Sequence, residues 1–433
     1  MEEKVLLRIK PTDAEIREIS NTAETLRDTL ESISKGRFEP LLVGSVPKGT
    51  FLRSPDIDVF LMYPTEVPKE VMAEETLALG RKVLDDPVEK YAEHPYINGK
   101  YKGYNADIVP CYQIDDIDDM LSSVDRTPLH TEYVIKNLPE NKRDDVLLLK
   151  AFLKGIGAYG AHAQVKGFSG YLCELMVLHY GSFEDTLKEV SGWSMGETVE
   201  MVTAQRGFDE ALIFVDPVDP KRNVASAVDE ETMSLFIFAS KTYFRDPKLT
   251  YFFPNTIQQL SMDELTKVLS ERGTELILLS FHRPNIIDEN LYPQVEKACR
   301  KLHEHMEMHD FNVLHSGYNI DDDISIVYEL EHKELSNIKI HRGPPVFNEN
   351  ALKFHSKYGS DVYIEGHRLM TDRDREYKKV SDLMNHLVKT LDMGSDLNDE
   401  IKDGLMIFQG EDAIAHAPEP INLFFDRRFS WER

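Results

Sequence analysis

A glycine-serine pair and two closely spaced aspartates are the residues of this sequence best suited to do chemistry. Gly44 and Ser45 are followed, after ten further residues, by Asp56 and Asp58. Residues two apart in a strand point to one side of a sheet, so both carboxylates are predicted to share a face. Such close like charges repel unless a cation lies between them, and oxygen ligands without nearby Cys or His favour Mg²⁺ or Mn²⁺ over zinc. The spacing therefore predicts a divalent metal site.

A third aspartate extends this site. Asp107 lies in a second strand-like run, among the apolar residues Ala106, Ile108 and Val109. If this strand lies next to the strand with the acid pair, three carboxylates can hold two metal ions roughly 4 Å apart. One ion would activate an attacking hydroxyl, and the other would bind a triphosphate and stabilise the leaving pyrophosphate.

The glycine-serine pair is suited to binding that triphosphate. Glycine lets backbone N–H groups approach a phosphate, and the Ser45 hydroxyl is a further donor. Lys48 is close enough in sequence to neutralise phosphate charge. Taken alone, Gly44-Ser45 is more typical of a plain turn, and the acid pair of a solvated strand edge. The combination of turn, acid pair and downstream acid favours the metal and phosphate site.

The elements predicted around these residues make a small α+β domain over residues 1–142. A capping box at Thr12 and Glu15 begins a helix, apolar residues follow at helical spacing, and Gly36 ends it. A second helix is expected near residues 68–86. Strands are expected at residues 40–43, 56–62 and 104–109. In this α+β arrangement the strands must bring the three acids together.

The rest of the chain is predicted to form two further domains. Residues 143–252 are mainly helical, with one helix at 146–154 closed by Gly155 and another from a Ser169 cap to residue 180. Residues 253–433 form a C-terminal α+β domain. Its predicted elements are a strand at 275–281, an amphipathic helix at 292–310, a hairpin of 311–320 with 324–330, a strand at 361–365 and a helix after residue 374. The β-α-β-β order suggests half of a ferredoxin-like antiparallel sheet.

Composition limits the classes of protein to consider. The 433 residues carry 50 Lys and Arg against 76 Asp and Glu, a net charge of −26. This balance argues against a polyanionic partner, although a basic groove can coexist with an acidic exterior. No run approaches the 18 apolar residues that a membrane span needs. The three distant cysteines fit neither a disulfide framework nor a zinc site, which indicates a reducing compartment and a cytoplasmic protein.

Several motifs in order resemble a known family. The Gly-Ser turn, acid pair and later acid resemble the nucleotidyltransferase superfamily that includes DNA polymerase β and poly(A) polymerases. Residues 123–130, 167–174 and 216–223 resemble the archaeal-type (class I) CCA-adding enzymes, which are tRNA nucleotidyltransferases. The similarity runs to about residue 345 and then weakens. The resemblance implies a polymerase-β-like head and template-independent addition of C, C and A to the tRNA 3′ end from CTP and ATP.

The resemblance also implies a role for each matching position. These are Asp56, Asp58 and Asp107 as catalytic metal ligands, Gly44, Ser45 and Lys48 at the triphosphate, His130, Lys150 and Tyr159 as further nucleotide contacts, and Arg222 for reading the base. Position 48 is often arginine in the family, and position 56 is often glutamate. Both departures keep the charge and are expected to alter geometry more than chemistry. Lys48 is the less secure match, because lysine lacks the bidentate fork of arginine.

The expected cofactor and partners follow from the same resemblance. They are Mg²⁺, ATP, CTP, the acceptor arm and 3′ end of tRNA, and a second copy of the chain in a homodimer, with no membrane. Two alternatives stay open. One is a poly(A) polymerase-like or other RNA nucleotidyltransferase with a different acceptor. The other is a catalytically silent RNA-binding protein on this fold, against which the intact acid set argues.

Overall fold

A computed structural model describes residues 1–91 and 94–433 of the chain. The chain divides into two compact units. The first is formed by Met1–Thr256 with Arg428–Arg433, and the second by Ile257–Arg427. Among the helices of the described residues, none is long and apolar enough to cross a membrane.

The first unit begins with a head built on a five-stranded sheet. Its elements are α1 (Glu2–Ile9), α2 (Asp13–Ser34), β1 (Glu39–Val43), α3 (Ser45–Lys48), β2 (Ile57–Tyr63), α4 (Lys69–Val83), β3 (Asp85–Tyr91), β4 (Pro95–Tyr101), β5 (Tyr104–Tyr112) and α5 (Arg126–Asn137). The strand order is β1-β2-β5-β4-β3. Strands β2 and β5 pair in parallel, whereas the other neighbours are antiparallel. Apolar side chains of α2 and α4 pack with those of the strands in one core.

The predicted elements of the head are confirmed, but the helices α3 and α5 were not predicted. The Thr12–Glu15 capping box begins α2, and the strands and helix lie within a few residues of their predicted positions, although β5 continues past Pro110 to Tyr112. The prediction missed α1, whose Val5 and Ile9 are buried in the core of the helical part. It also missed the β3–β4 hairpin, because every residue of β3 is exposed and no alternation marks it.

The remainder of the first unit is mainly helical, as predicted. It contains α6 (Arg143–Ile156), α7 (Gly170–Tyr180), α8 (Phe183–Val190), the parallel pair β6 (Glu197–Glu200) and β7 (Leu212–Val215), and α9 (Glu230–Arg245). The Ser169 hydroxyl caps α7 by accepting from the Leu172 amide at 3.1 Å. The prediction that Gly155 ends the preceding helix is wrong. Gly155 lies inside α6, where a Cβ would overlap the Tyr251 backbone, and the helix ends at Gly157 with φ +83°.

The second unit combines two antiparallel sheets with helices. Its elements are α10 (Met262–Arg272), β8 (Glu275–His282), α11 (Asp288–Met308), β9 (Val313–Ile320), β10 (Asp323–Leu330), β11 (Ile338–Pro345), α12 (Ala351–Tyr358), β12 (Val362–Glu365), β13 (Arg368–Asp374), α13 (Val380–Thr390), α14 (Leu397–Gly404), β14 (Met406–Gln409), α15 (Gly410–His416) and α16 (Pro418–Phe425). One sheet is ordered β14-β8-β10-β9 and the other β11-β13-β12. Because β10 lies between β8 and β9, the β8-α11-β9 connection is a split β-α-β unit.

Candidate active site

The head sheet places the three predicted acids near one another, although among the described residues no group of three acid, His or Cys side chains is already arranged to hold a metal ion. Strands β2 and β5 pair in parallel with Asp58 directly opposite Asp107, and Asp56 precedes the first residue of β2. Two asparagine side chains donate hydrogen bonds to two of these acids. Asn98 Nδ2 donates to Asp107 Oδ1 at 2.6 Å, and Asn105 Nδ2 donates to Asp56 Oδ1 at 3.2 Å. The carboxylates therefore occupy one edge of the central strands, as the alternation in the sequence predicts.

The electrostatics of this group fit a divalent cation. Burial, together with the charges of Asp107 and Asp56, raises the pKa of Asp58 to about 7 against the opposing effect of Lys48. Burial also raises the pKa of Asp107, while the Asn98 hydrogen bond lowers it. Asp58 and Asp107 are half-buried and Asp56 is exposed, and neighbouring half-buried carboxylates destabilise one another unless a positive charge compensates them. A donor set made only of carboxylate oxygens is the kind that Mg²⁺ and other hard cations prefer.

The Gly44-Ser45 turn lies directly against these acids. Val43, the last residue of β1, pairs with Asp58, and Gly44 follows with φ +75°, a conformation that favours glycine. A Cβ at position 44 would overlap the Oδ2 atom of Asp58. Ser45 then begins α3 and is half-buried. Glycine is therefore required here both by the backbone conformation and by the close approach of the carboxylate.

We expect Gly44→Ala to destabilise the protein by about 2–5 kcal/mol, because a strained φ is combined with a clash. Displacement of Asp58 should also lower activity roughly a hundredfold. The matched control is Gly36→Ala, since Gly36 has φ +81° and no neighbour within 4 Å of an added Cβ. Gly36→Ala should cost only about 1 kcal/mol and leave activity unchanged. Equal effects of the two substitutions on Tm and activity would contradict this interpretation.

The two lysines predicted to contact nucleotide share one buried partner. Lys48 Nζ lies 2.6 Å from Glu174 Oε2, and Lys150 Nζ lies 3.3 Å from Glu174 Oε1 and 2.8 Å from the Thr50 carbonyl oxygen. The Thr50 hydroxyl donates to Glu174 Oε1 at 2.5 Å. The Glu174 side chain is fully buried, and both lysines are also buried. This cluster joins the head to helices α6 and α7.

Glu174 is charged despite its burial. Burial alone would raise its pKa, but the charges of Lys150 and Lys48 and the hydrogen bonds from Lys48 and Thr50 lower it overall. Two ammonium groups and one carboxylate leave the cluster with one net positive charge beside the Gly44-Ser45 turn. Sequence reasoning missed Glu174. The available signal was an acid within the apolar run 172–177 of a predicted helix.

A third group surrounds a buried aspartate, Asp216. His130 Nε2 and Arg222 Nη1 lie 2.8 and 3.0 Å from Asp216 Oδ2, and the Tyr171 hydroxyl donates to Oδ1 at 3.1 Å. Burial lowers the pKa of His130, so at neutral pH the ring is neutral and its Nε2–H donates to the carboxylate. The rings of His130 and Tyr171 stack with centroids 4.1 Å apart. The sequence analysis named His130 and Arg222 but missed Asp216 and Tyr171.

The remaining predicted residue, Tyr159, lies beside the lysine cluster. A Cβ at Gly170, the first residue of α7, would contact both the Tyr159 hydroxyl and Lys150 Nζ. Lys154 Nζ lies 5.2 Å from the centroid of the Tyr159 ring. The lysine and aspartate clusters are also neighbours, because Lys48 Nζ lies 6.0 Å from the Tyr171 ring centroid. The predicted residues thus form adjacent groups within the first unit.

Comparisons with known proteins define first the class and then the family. The family model of the nucleotidyltransferase domain matches residues 23–137. The second domain of tRNA nucleotidyltransferases matches residues 144–253, and the C-terminal domain of CCA-adding enzymes matches residues 272–410. A nucleotidyltransferase head with this carboxylate edge makes the chain a nucleotidyltransferase, an enzyme class that works with metal ions.

Full-length relatives identify the family. The chain is 37% identical to the CCA-adding enzyme of Picrophilus torridus over 86% of each chain. It is 35% identical to that of Methanothermobacter thermautotrophicus over 98% of this chain and 96% of the relative, and 34% identical to that of Archaeoglobus fulgidus over 94% of each. The chain belongs to the archaeal CCA-adding enzymes. The match extends beyond residue 345, since the C-terminal family model reaches residue 410.

Proposed function

We propose that this chain completes the 3′ end of tRNA by adding C, C and A without a nucleic-acid template. It transfers CMP twice from CTP and AMP once from ATP, and pyrophosphate leaves at each step. The observation that carries the proposal is the edge of three carboxylates beside the Gly44-Ser45 turn. It occurs in a chain that is 35% identical over 98% of its length to a CCA-adding enzyme.

Asp56, Asp58 and Asp107 are the residues that would hold Mg²⁺. The bound ion would supply positive charge for deprotonating the tRNA 3′ hydroxyl and for neutralising the triphosphate. The chain itself provides the alignment. Asn98 and Asn105 orient two of the three carboxylates, and Gly44 keeps the backbone of the turn close to the third. These contacts orient the carboxylates within the head sheet.

The turn and the lysine cluster are suited to the triphosphate. The Ser45 hydroxyl is a donor at the start of α3, and Lys48 and Lys150 bring one net positive charge after Glu174 is counted.

Arg222 is held at Nη1 by Asp216, and its side chain remains 32% exposed, so the guanidinium has a fixed edge for a base. Since His130 Nε2–H donates to Asp216, its Nδ1 is left as an acceptor for a nucleotide hydroxyl.

The macromolecular substrate, the oligomeric state, the location and the roles of the domains are proposed from family membership. The macromolecular substrate is the acceptor arm and 3′ end of tRNA, the enzyme acts as a homodimer, and it works in the cytoplasm. The domains are the catalytic head at 1–142, the base- and primer-binding helical domain at 143–252, and the tRNA-binding body and tail at 253–433. Family membership supports tRNA and nucleoside triphosphates as substrates.

An addition assay tests the proposal directly. Purified protein is incubated with Mg²⁺ and a tRNA that ends before its CCA, together with CTP alone, ATP alone or both. We expect two additions with CTP and a third only when ATP is also present. Long A-tailing would indicate a poly(A) polymerase-like enzyme instead. Binding of the tRNA without any incorporation would indicate a silent RNA-binding protein.

Metal binding should depend on pH in a defined direction. Since the pKa of Asp58 is raised to about 7 in the folded protein, the folded state binds more protons than the unfolded state between its ordinary pKa and 7. The metal-free protein should therefore lose stability as pH rises through this window. We expect Mg²⁺ to raise Tm more at pH 8 than at pH 6, because protons compete with the ion at the lower pH. An equal rise in Tm on adding Mg²⁺ at pH 6 and pH 8, measured by thermal melting, would contradict the proposed metal site.

A further inference from the structure

A short loop, residues 216–222, carries the arginine proposed to read the base. It follows β7 and closes on itself, since the Asp216 amide donates to the Arg222 carbonyl oxygen at 3.1 Å and the Arg222 amide donates to the Asp219 carbonyl oxygen at 2.8 Å. The side chains of Asp216 and Asp219 are both buried, whereas that of Arg222 is partly exposed. The loop therefore presents two cations, Lys221 and Arg222, to solvent and keeps two carboxylates inside.

The two carboxylates are linked to a single face of α5. Arg126 Nε donates to Asp219 Oδ2 at 2.8 Å, and His130 Nε2 donates to Asp216 Oδ2 at 2.8 Å. Residues four apart in a helix lie on the same face, so α5 makes two adjacent links to the loop. Asp219 has a second function within the loop, because its Oδ1 accepts from the Lys221 amide at 3.1 Å. The position of the loop is thus set by the head helix.

These links bear on the orientation of Arg222. Its Nη1 is held by Asp216, the carboxylate that His130 also contacts. Burial would raise the pKa of Asp216, but the His130 hydrogen bond and the Arg222 charge lower it to about 2, so the carboxylate stays ionised. A free arginine side chain samples many rotamers, and fixing it costs entropy. Here the contact with Asp216 already restricts the Arg222 side chain before a nucleotide binds.

We propose that Arg126 and Asp219 are positioning residues for base selection, which hold the 216–222 loop so that the Arg222 guanidinium meets the incoming base in one orientation. The inference rests on the proposed function, in which Arg222 reads the base. Hydrogen bonds discriminate between bases only when the donors have fixed positions, because a mobile donor adapts to a wrong base. Loosening the loop should therefore reduce selectivity more than it reduces the chemical step.

The test compares CTP with UTP in single additions to a tRNA that ends before its CCA. The variants are Arg126→Gln and Asp219→Asn, which remove the ion pair, and Arg126→Lys, which can restore one charged hydrogen bond to Asp219. We expect the first two to raise KM for CTP about tenfold and to reduce the CTP-over-UTP preference about tenfold. The kcat at saturating CTP should stay within about twofold, since no group at the carboxylate edge changes. Arg126→Lys should recover most of the preference.

The matched control is Lys221→Gln in the same loop. Lys221 Nζ pairs with Asp118 at 2.7 Å, but both side chains are largely exposed, so its loss should leave selectivity unchanged. If Arg126→Gln and Asp219→Asn lower kcat/KM equally with CTP and UTP, the preference is unchanged and the positioning role is overturned. Arg222→Ala distinguishes a failure of the positioning inference from a failure of the proposed function. If the unmodified enzyme adds no CCA, the proposed function fails. If the unmodified enzyme adds CCA and only Arg222→Ala alters the CTP-over-UTP preference, the positioning inference alone fails.

Discussion

Asp58→Asn is expected to reduce nucleotide addition by at least about a thousandfold while leaving the fold intact. A metal ligand contributes several kcal/mol of transition-state stabilisation, and each 1.4 kcal/mol corresponds to about a tenfold change in rate. Asp58 is the central acid of the group, since it lies opposite Asp107 and against Gly44. The amide keeps the shape of the side chain but removes the charge that the cation needs.

The stability of this variant should change in the opposite direction. In the metal-free protein the ionised Asp58 is destabilised by its burial and by the charges of Asp107 and Asp56. Asp58→Asn removes that repulsion, so Tm without Mg²⁺ at pH 8 should equal or exceed the unmodified value. The control is Asp115→Asn, which changes an exposed aspartate of the same head and should alter neither activity nor Tm. Full activity of Asp58→Asn would eliminate the proposed site, whereas a large fall in Tm would assign Asp58 a mainly structural role.

Glu174→Gln is expected to lower the stability of the first unit by about 3–5 kcal/mol. The substitution leaves the ammonium groups of Lys48 and Lys150 buried with no opposite charge, and breaking a buried ion pair from one side has a cost of this size. In a unit of this length the corresponding fall in Tm is on the order of 10 °C. The matched control is Asp144→Asn, which removes an exposed ion pair with Lys10 and should cost less than about 1 kcal/mol.

Glu174 should also make the stability of the protein depend on pH in the acid range. Because its folded-state pKa is lowered, the ionised carboxylate stabilises the protein above its ordinary value of 4.5, and that contribution is lost as pH falls below it. The difference in Tm between the unmodified protein and Glu174→Gln should therefore shrink on acidification from pH 6 to pH 3. A constant difference across this range would show that the charge of Glu174 does not account for the destabilisation.

Sequence reasoning succeeded where local patterns determine structure. The capping box of α2, the Ser169 cap of α7 and the alternation around Asp58 and Asp107 are each produced by contacts within a few residues or by strand periodicity. The fold class, the predicted strands of the head and the split β-α-β unit followed from such patterns. So did the carboxylate site, because an acid among apolar strand residues is unfavourable without a functional partner.

The failures have a common physical cause in contacts between distant residues. Gly155 is a glycine because the Tyr251 backbone packs against α6, and α1 is helical because Val5 and Ile9 are buried by other helices. Neither contact leaves a periodic signal near the residues concerned. The exposed strand β3 likewise depends on its pairing with β4 rather than on a buried face.

The sequence by itself determined that the acids and the Gly-Ser turn lie near one another in a nucleotidyltransferase head, and it predicted a metal and phosphate site there. Only the tertiary structure decided which partners hold the cations of that site. Glu174 lies 126 residues from Lys48, and Asp219 lies 93 residues from Arg126, so each pair forms only when the head and the helical part fold together. Local propensity acts over a few residues, whereas the compensation of a buried charge depends on the group that folding places beside it.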